Sequence, residues 1–185
     1  MATRTTGLVN LPLPESFEHC PRCGTRSTRS GASKRFLCSS CDYCFFFNPA
    51  CAVAALIVAP DHRMVFIRRN RNPSKGKLSL PGGFVDPGES AENALKRETR
   101  EEVSLELVEM EFLCSHPNQY SYRGLTYPVT DFFFVATVAQ FDSMSPEPSE
   151  VAEIHLSPVD ELAIAQAAFP SVAFALRRYL AIDAR

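Results

Sequence analysis

The sequence predicts an α/β protein of the α+β kind, in which a mixed sheet carries helices on its surface and a small cysteine-rich module stands in front. Three observations predict this. Residues 48–185 alternate short apolar runs with turns and with two helical stretches. These strands and helices do not follow a strict βαβ alternation, which favours a mixed sheet over a parallel one. Residues 19–47 are short of large aliphatic side chains and hold five of the seven cysteines. Residues 1–18 carry Thr, Pro and polar residues without a period and read as a flexible arm.

The elements follow in chain order. Ala52 to Val58 is a continuous apolar run, expected as a buried strand, and Met64 to Arg68 returns after a turn at Asp61-His62. Leu78 to Leu80 is a short strand stopped by Pro81-Gly82-Gly83. Ala91 to Val103 has good helix formers and neither Gly nor Pro, so it is expected to be helical. Ser90 can cap it by accepting from free N–H groups of the first turn. Leu107 to Ser115, Val129 to Val138 and Ile154 to Leu156 read as strands, with a loop at Asp142 to Ser149. Pro158 to Ala165 reads as a short helix and Ser171 to Ile182 as a C-terminal amphipathic helix.

Composition narrows the function classes. With 45% apolar and 22% charged residues over 185 positions, the chain can bury a real core. A net charge of −2 gives no global basic field, so nucleic acid is not expected as the primary partner. No apolar run approaches the roughly 20 residues that span a bilayer, and residues 1–10 lack a hydrophobic signal core. A soluble cytoplasmic protein is expected.

The most informative stretch runs from Gly82 to Leu105. On a helix, Glu98 and Glu102 are i,i+4 neighbours and Glu101 is three residues from Glu98, so all three carboxylates share a face. Their repulsion is relieved by a divalent cation such as Mg²⁺ or Mn²⁺, which takes carboxylate oxygens and also binds phosphates. Arg97, four residues before Glu101, can orient a carboxylate. The glycines before the helix let backbone approach a ligand closely, so the Gly82 carbonyl is a candidate metal ligand.

This stretch resembles the Nudix box, Gly-x5-Glu-x7-Arg-Glu-U-x-Glu-Glu-x-Gly-U with U a bulky aliphatic residue. Gly83, Glu89, Arg97, Glu98, Glu101, Glu102 and Leu105 fall in register, whereas Thr99 stands at the first aliphatic position and Ser104 at the last glycine. The resemblance implies the Nudix αβα sandwich over about residues 50–185, and hydrolysis of a nucleoside diphosphate linked to another group. It implies that Glu98, Glu101, Glu102 and the Gly82 carbonyl bind metal, that Glu98 is a candidate base, and that Glu89 braces loop and helix. Such domains often add an acidic residue from a late loop; Glu150 is preferred over Glu153 for that place.

Cys20-Pro-Arg-Cys23 and Cys38-Ser-Ser-Cys41 are two CxxC knuckles with the spacing of a tetrahedral structural Zn²⁺ site. Cys41 and Cys44 also form a CxxC. The Cys20, Cys23, Cys38 and Cys41 set is preferred, because Tyr43 and Phe45 to Phe47 are then left as a packing face. The module resembles the zinc ribbon that precedes some Nudix domains, notably in the NADH pyrophosphatase and ADP-ribose pyrophosphatase group. Of the NADH pyrophosphatase motif that follows the box, only Ser115 and Pro117 match here.

On the substrate side, Arg68 is a candidate phosphate contact. Tyr120, Tyr122 and Tyr127, in an expected loop around Gly124, are candidates for stacking a base or ribose. The leading reading is a pyrophosphatase acting on a nucleotide-type small molecule such as ADP-ribose, NADH or a nucleotide sugar. The alternatives are a nucleoside triphosphate pyrophosphatase, or a non-catalytic nucleotide sensor whose ribbon binds nucleic acid or protein. Many proteins that this chain resembles are homodimers, so a homodimer is possible here too.

Overall fold

A computed structural model describes residues 11–26 and 34–183. Residues 1–10 of the expected arm, and Arg29 of the ribbon, lie outside the described residues. The chain forms two compact units, Met1–Pro49 with Gln119–Pro128, and Ala50–Asn118 with Val129–Arg185.

In the second unit, strand β4 (Ala50–Ile57) pairs in parallel with β8 (Leu125–Val138) from Ala50↔Val129 to Ile57↔Ala136, and β7 (Leu107–Tyr122) joins the other side of β8. A second sheet has the order β6 (Leu78–Ser79), β5 (Met64–Arg69), β9 (Val151–Ser157), with antiparallel pairs on both sides of β5. The mixed sheet expected from the sequence is therefore present.

Side-chain alternation along the strands sorts residues onto two helical layers. Val53, Ala55 and Ile57 of β4 and Val65 and Ile67 of β5 pack with Ala94, Leu95 and Val103 of helix α1 (Ala91–Val103). Leu56, Met64, Phe66 and Phe133, on the opposite faces, pack with Ile164 of α2 (Glu161–Ala165) and with Val172, Ala175 and Leu176 of α3 (Pro170–Asp183). This is the αβα sandwich. No helix among the described residues is long and apolar enough to cross a membrane.

Helix α1 has the expected bounds, and the Ser90 side chain accepts from the Asn93 N–H at 3.2 Å. The expected strand Leu107 to Ser115 needs correction, because β7 runs on to Tyr122. Pro117 lacks a ladder donor, but among the described residues β7 pairs only with β8, and an edge strand tolerates a proline whose missing N–H faces outward. Tyr120, Tyr122 and Tyr127 consequently lie in strands, and the turn is confined to Arg123 and Gly124 with φ of 48° and 81°.

In the first unit, β1 (Leu11–Pro12) pairs in parallel with Leu125 and Thr126, and a 3-10 turn follows at Leu13–Ser16. β2 (Arg35–Leu37) and β3 (Cys44–Phe46) form an antiparallel hairpin. Its inner face sets Phe36 against Phe17 at 5.8 Å between ring centroids, and Phe17 meets Phe47 edge-on at 4.9 Å. This small aromatic cluster surrounds buried Cys20 and Cys38.

Candidate active site

The loop before α1 is fixed by close packing. The Val53 N–H donates to the Gly83 carbonyl at 2.8 Å and the Ala55 N–H to that of Pro81 at 2.9 Å, which clamps residues 81–83 onto β4. Gly82 has φ of +148°, and a Cβ there would meet the Val53 carbonyl oxygen at 2.1 Å. A Cβ on Gly83 would meet the Glu98 carboxylate at 2.5 Å. Gly82 therefore excludes a side chain, whereas one at Gly83 would displace the Glu98 carboxylate, so the second glycine is what lets Glu98 lie against the loop.

The acidic helix face converges as its spacing predicts. The Glu102 side chain is 4% exposed and accepts from the Gly82 N–H at 2.8 Å. Burial, followed by the charges of Glu98 and Glu150, raises its pKa to about 8 despite the Gly82 hydrogen bond. Burial also raises that of Glu98. Arg97 is the hub of the face. Its Nε and NH2 donate to the two Glu89 oxygens at 3.1 and 2.9 Å, its NH1 to Glu98 at 2.7 Å and to Glu101 at 3.3 Å, and its NH2 also to the Phe84 carbonyl. These contacts hold the Glu89 carboxyl below its ordinary range.

Glu98, Glu101 and Glu102 line a cavity of about 510 Å³ with Arg71, Phe84, Asp86, Glu147 and Glu150. Among the described residues, six carboxylates, Asp86, Glu98, Glu101, Glu102, Glu147 and Glu150, thus face a single lining cation, Arg71. Asp86, Glu101 and Glu147 are exposed, but gathering this much negative charge around one cavity is still unfavourable unless cations enter. The donor set suits hard divalent ions, which take carboxylate oxygens.

The late loop supplies two of these carboxylates. The Glu147 N–H donates to the Glu102 carbonyl at 3.0 Å and the Asn70 N–H to that of Glu150 at 2.7 Å, so the loop is tied to the end of α1 and to the end of β5. Glu150 faces the cavity, bonded to Arg71 NH1 at 2.5 Å. Glu153 instead pairs on β9 with Arg68 at 3.6 Å and with His155. Arg68 donates to the Gly76 carbonyl and is not among the lining residues, and the cation that is there is Arg71. Tyr120 and Tyr122 are not lining residues either. Sequence reasoning missed Arg71 and Glu147. Arg71 lies beside Arg68 and Arg69 in the sequence, and only the fold selects it from these neighbours, while Glu147 carried no motif signal.

In the ribbon, Cys20, Cys23, Cys38 and Cys41 bring their sulfurs within 4.8 Å of one another. Cys20 and Cys41 lie 3.8 Å apart, and Cys23 and Cys38 3.6 Å apart, all as free thiols. Four sulfurs at about 2.3 Å from one zinc are about 3.8 Å from each other in a regular tetrahedron. The observed spacing therefore fits zinc. Cys44, the alternative ligand, is exposed on β3 outside this group.

Fold and cavity together define a sheet sandwiched by helices, with a carboxylate-lined site over the C-terminal half of one helix. The NUDIX domain model matches residues 49–177, and the chain belongs to the NUDIX family. Among curated relatives, the ADP-ribose pyrophosphatase of Methanocaldococcus jannaschii is 44% identical over 63 residues, 34% of this chain and 37% of that protein. The mitochondrial NAD(P)H pyrophosphatase of Homo sapiens is 29% identical over 60% of this chain and 31% of its own length. The NAD-capped RNA hydrolase of Escherichia coli is 24% identical over 80% of this chain and 54% of its own. The chain thus spans about a third to a half of the curated relatives it matches. A NUDIX hydrolase structure from Nitrosomonas europaea superposes with a TM-score of 0.64 at 23% identity, covering 89% of this chain and 90% of that one. The MutT NUDIX hydrolase of Burkholderia pseudomallei gives 0.61 at 26% identity, over 71% and 98%.

Proposed function

We propose that this protein hydrolyses the pyrophosphate bond of a nucleoside diphosphate derivative, such as ADP-ribose, NADH or a nucleotide sugar, in a divalent-metal-dependent reaction. The single observation that carries the reading is the cavity in which six carboxylates face one arginine. Glu98, Glu101, Glu102 and the Gly82 carbonyl would hold Mg²⁺ or Mn²⁺, with Glu150 completing the set from the late loop. The bound cation supplies charge neutralisation for phosphate and a lowered pKa for water. Glu98, whose burial raises its proton affinity, accepts the proton of the attacking water. Arg97 holds Glu98 and Glu101 in place, and Glu89 holds Arg97. Arg71 takes the phosphate contact that the sequence offered to Arg68, and the half-exposed Phe84 ring gives the cavity its apolar wall. The Cys20, Cys23, Cys38 and Cys41 set binds one structural Zn²⁺ in the ribbon. The relatives named as ADP-ribose and NAD(P)H pyrophosphatases support a dinucleotide or sugar-linked substrate over a nucleoside triphosphate.

The test is coupled phosphate release from ADP-ribose, NADH, NAD⁺, nucleotide sugars and nucleoside triphosphates with Mg²⁺, using Glu102→Gln as control. Turnover of one diphosphate-linked compound, lost in the variant, establishes the reaction. Turnover of triphosphates alone transfers the protein to the second reading. No turnover in a folded, zinc-loaded protein brings the nucleotide sensor to the front.

A further inference from the structure

On the face of the sheet turned toward α3, a second polar cluster lies outside the acidic cavity. Its centre is Asp131 on β8, which is 9% exposed. The buried Ser171 hydroxyl of α3 donates to Asp131 Oδ2 at 2.5 Å, and the side-chain amide of Asn118 on β7 donates to the same oxygen at 2.9 Å. Among the described residues the other oxygen, Oδ1, accepts no hydrogen bond, and it is not enclosed, so an acceptor opens outward. Burial raises the Asp131 pKa against the two donors and nearby His116. Tying α3 to the sheet takes only one acceptor, and a hydroxyl or amide would supply it without the cost of a nearly buried charge. The carboxylate and its open oxygen therefore point to a ligand.

Strand pairing shows what surrounds that oxygen. Asp131 lies opposite Ala52 on β4, and Ala52 lies opposite Phe84 of the glycine loop. Directly opposed residues share a face of the sheet. At about 4.8 Å per strand, Asp131 and Phe84 stand roughly 10 Å apart in one row. Between them Ala52 offers only a methyl group and is partly open to solvent. Phe174, three residues after Ser171, shares its side of α3, and its ring lies 4.4 Å from that of His116. Phe84 is 38% exposed and Phe174 42%. The row is thus a shelf with a methyl floor, an aromatic group at each end and one open acceptor. Phe84 also lines the acidic cavity, so a single side chain stands between shelf and cavity.

Chemistry selects the occupant. A flat heterocycle suits aromatic walls, and an amino group donates to a carboxylate oxygen, whereas a carbonyl in its place would set acceptor against acceptor. We propose that the shelf over Ala52 is a nucleobase site for an adenine-type base. The exocyclic amino group donates to Asp131 Oδ1, and the ring lies between Phe84 and the His116–Phe174 pair. The site rests on the proposed hydrolysis for the rest of the ligand, whose pyrophosphate enters the acidic cavity past Phe84.

The experiment is calorimetric titration of the full, zinc-loaded chain with AMP and with IMP in Mg²⁺. Neither holds a pyrophosphate bond, and they differ by a 6-amino against a 6-oxo group. The parent is expected to prefer AMP about 10- to 100-fold, the worth of one hydrogen bond to a charged group. Asp131→Asn, whose amide also donates, should remove or reverse that preference, whereas a mere loosening of α3 would weaken both nucleotides alike. Ala52→Leu fills the floor, keeps every partner of Asp131 and should weaken the binding of AMP with zinc content unchanged. If Asp131→Asn fails to fold, the parent's preference and Ala52→Leu decide. Equal affinity of the parent for AMP and IMP, binding of neither, an unchanged preference in folded Asp131→Asn, or unchanged AMP affinity in Ala52→Leu would each overturn the site. Selective AMP binding without turnover of any pyrophosphate compound would sink the hydrolysis and leave the site standing. Equal turnover of ADP-ribose and its hypoxanthine analogue, with AMP and IMP bound alike, would do the reverse.

Discussion

Thr99 sits in α1 with no exposed surface, and its hydroxyl oxygen has no hydrogen-bond partner. It occupies an aliphatic position of the box, so the helix face that meets the sheet carries one desolvated polar atom. Thr99→Val keeps the shape and removes that atom, and the variant should be about 1 kcal/mol more stable, read as a higher melting temperature. Ser104 departs from the box differently. It ends α1 in the left-handed region, at φ of 57° and ψ of 32°, with its N–H bonded to the Arg100 carbonyl. A side chain there costs roughly 1–2 kcal/mol. Ser104→Gly should recover about 1 kcal/mol after the larger entropy of an unfolded glycine is subtracted. Both variants should leave hydrolysis unchanged, since neither side chain lines the cavity. Glu102 behaves in the opposite way. Its folded pKa of about 8 lies above the ordinary 4.5, so folding takes up a proton between those values. The stability it contributes is complete below pH 4.5 and is lost as pH rises through 8. Without divalent metal, the parent should melt at a lower temperature at pH 8 than at pH 5, and Glu102→Gln should flatten that dependence. An identical slope in the variant would remove Glu102 as its source.

At the scale of elements, the ribbon depends on four thiolates more than on its core, since its buried residues are few. One zinc per chain is expected by elemental analysis. Cys38→Ser should lose it and unfold the ribbon, whereas Cys44→Ser should keep it; retention by the first variant would refute the ligand set. Sequence alone located this module, because CxxC spacing encodes tetrahedral geometry within a few residues. It also located α1 to the residue, because propensity, an N-cap and a left-handed C-terminus all act locally. It stopped β7 too early, because whether a proline interrupts a strand depends on which edge of the sheet it faces, and that is decided by the neighbouring strands. The same holds for Tyr120 and Tyr122: the glycine at 124 signals a turn, but pairing with β8 makes strands of the residues on both sides.

At the scale of the whole molecule, the cavity gathers residues that no local pattern joins. Arg71 follows β5, Phe84 and Asp86 belong to the glycine loop, Glu98 to Glu102 to α1, and Glu147 and Glu150 to a loop some fifty residues later. The helix carboxylates were legible from spacing, whereas Glu147 and Arg71 became functional candidates only through hydrogen bonds that tie the late loop to Asn70 and Glu102. This makes Arg71 the informative position for the assembled site. Among the described residues it is the one lining cation, and its guanidinium is bonded to Glu150. If it meets substrate phosphate, Arg71→Gln removes a charge-assisted hydrogen bond worth about 1.5–3 kcal/mol, so KM should rise about 10- to 100-fold with a smaller effect on kcat. The same change frees Glu150 and adds one net negative charge to the cavity. Mg²⁺ should therefore bind the substrate-free variant more tightly than the parent, seen as a larger metal-induced rise in melting temperature. The two effects run in opposite directions, so a merely destabilised site cannot reproduce them. An unchanged KM would show that Arg71 serves only to restrain Glu150.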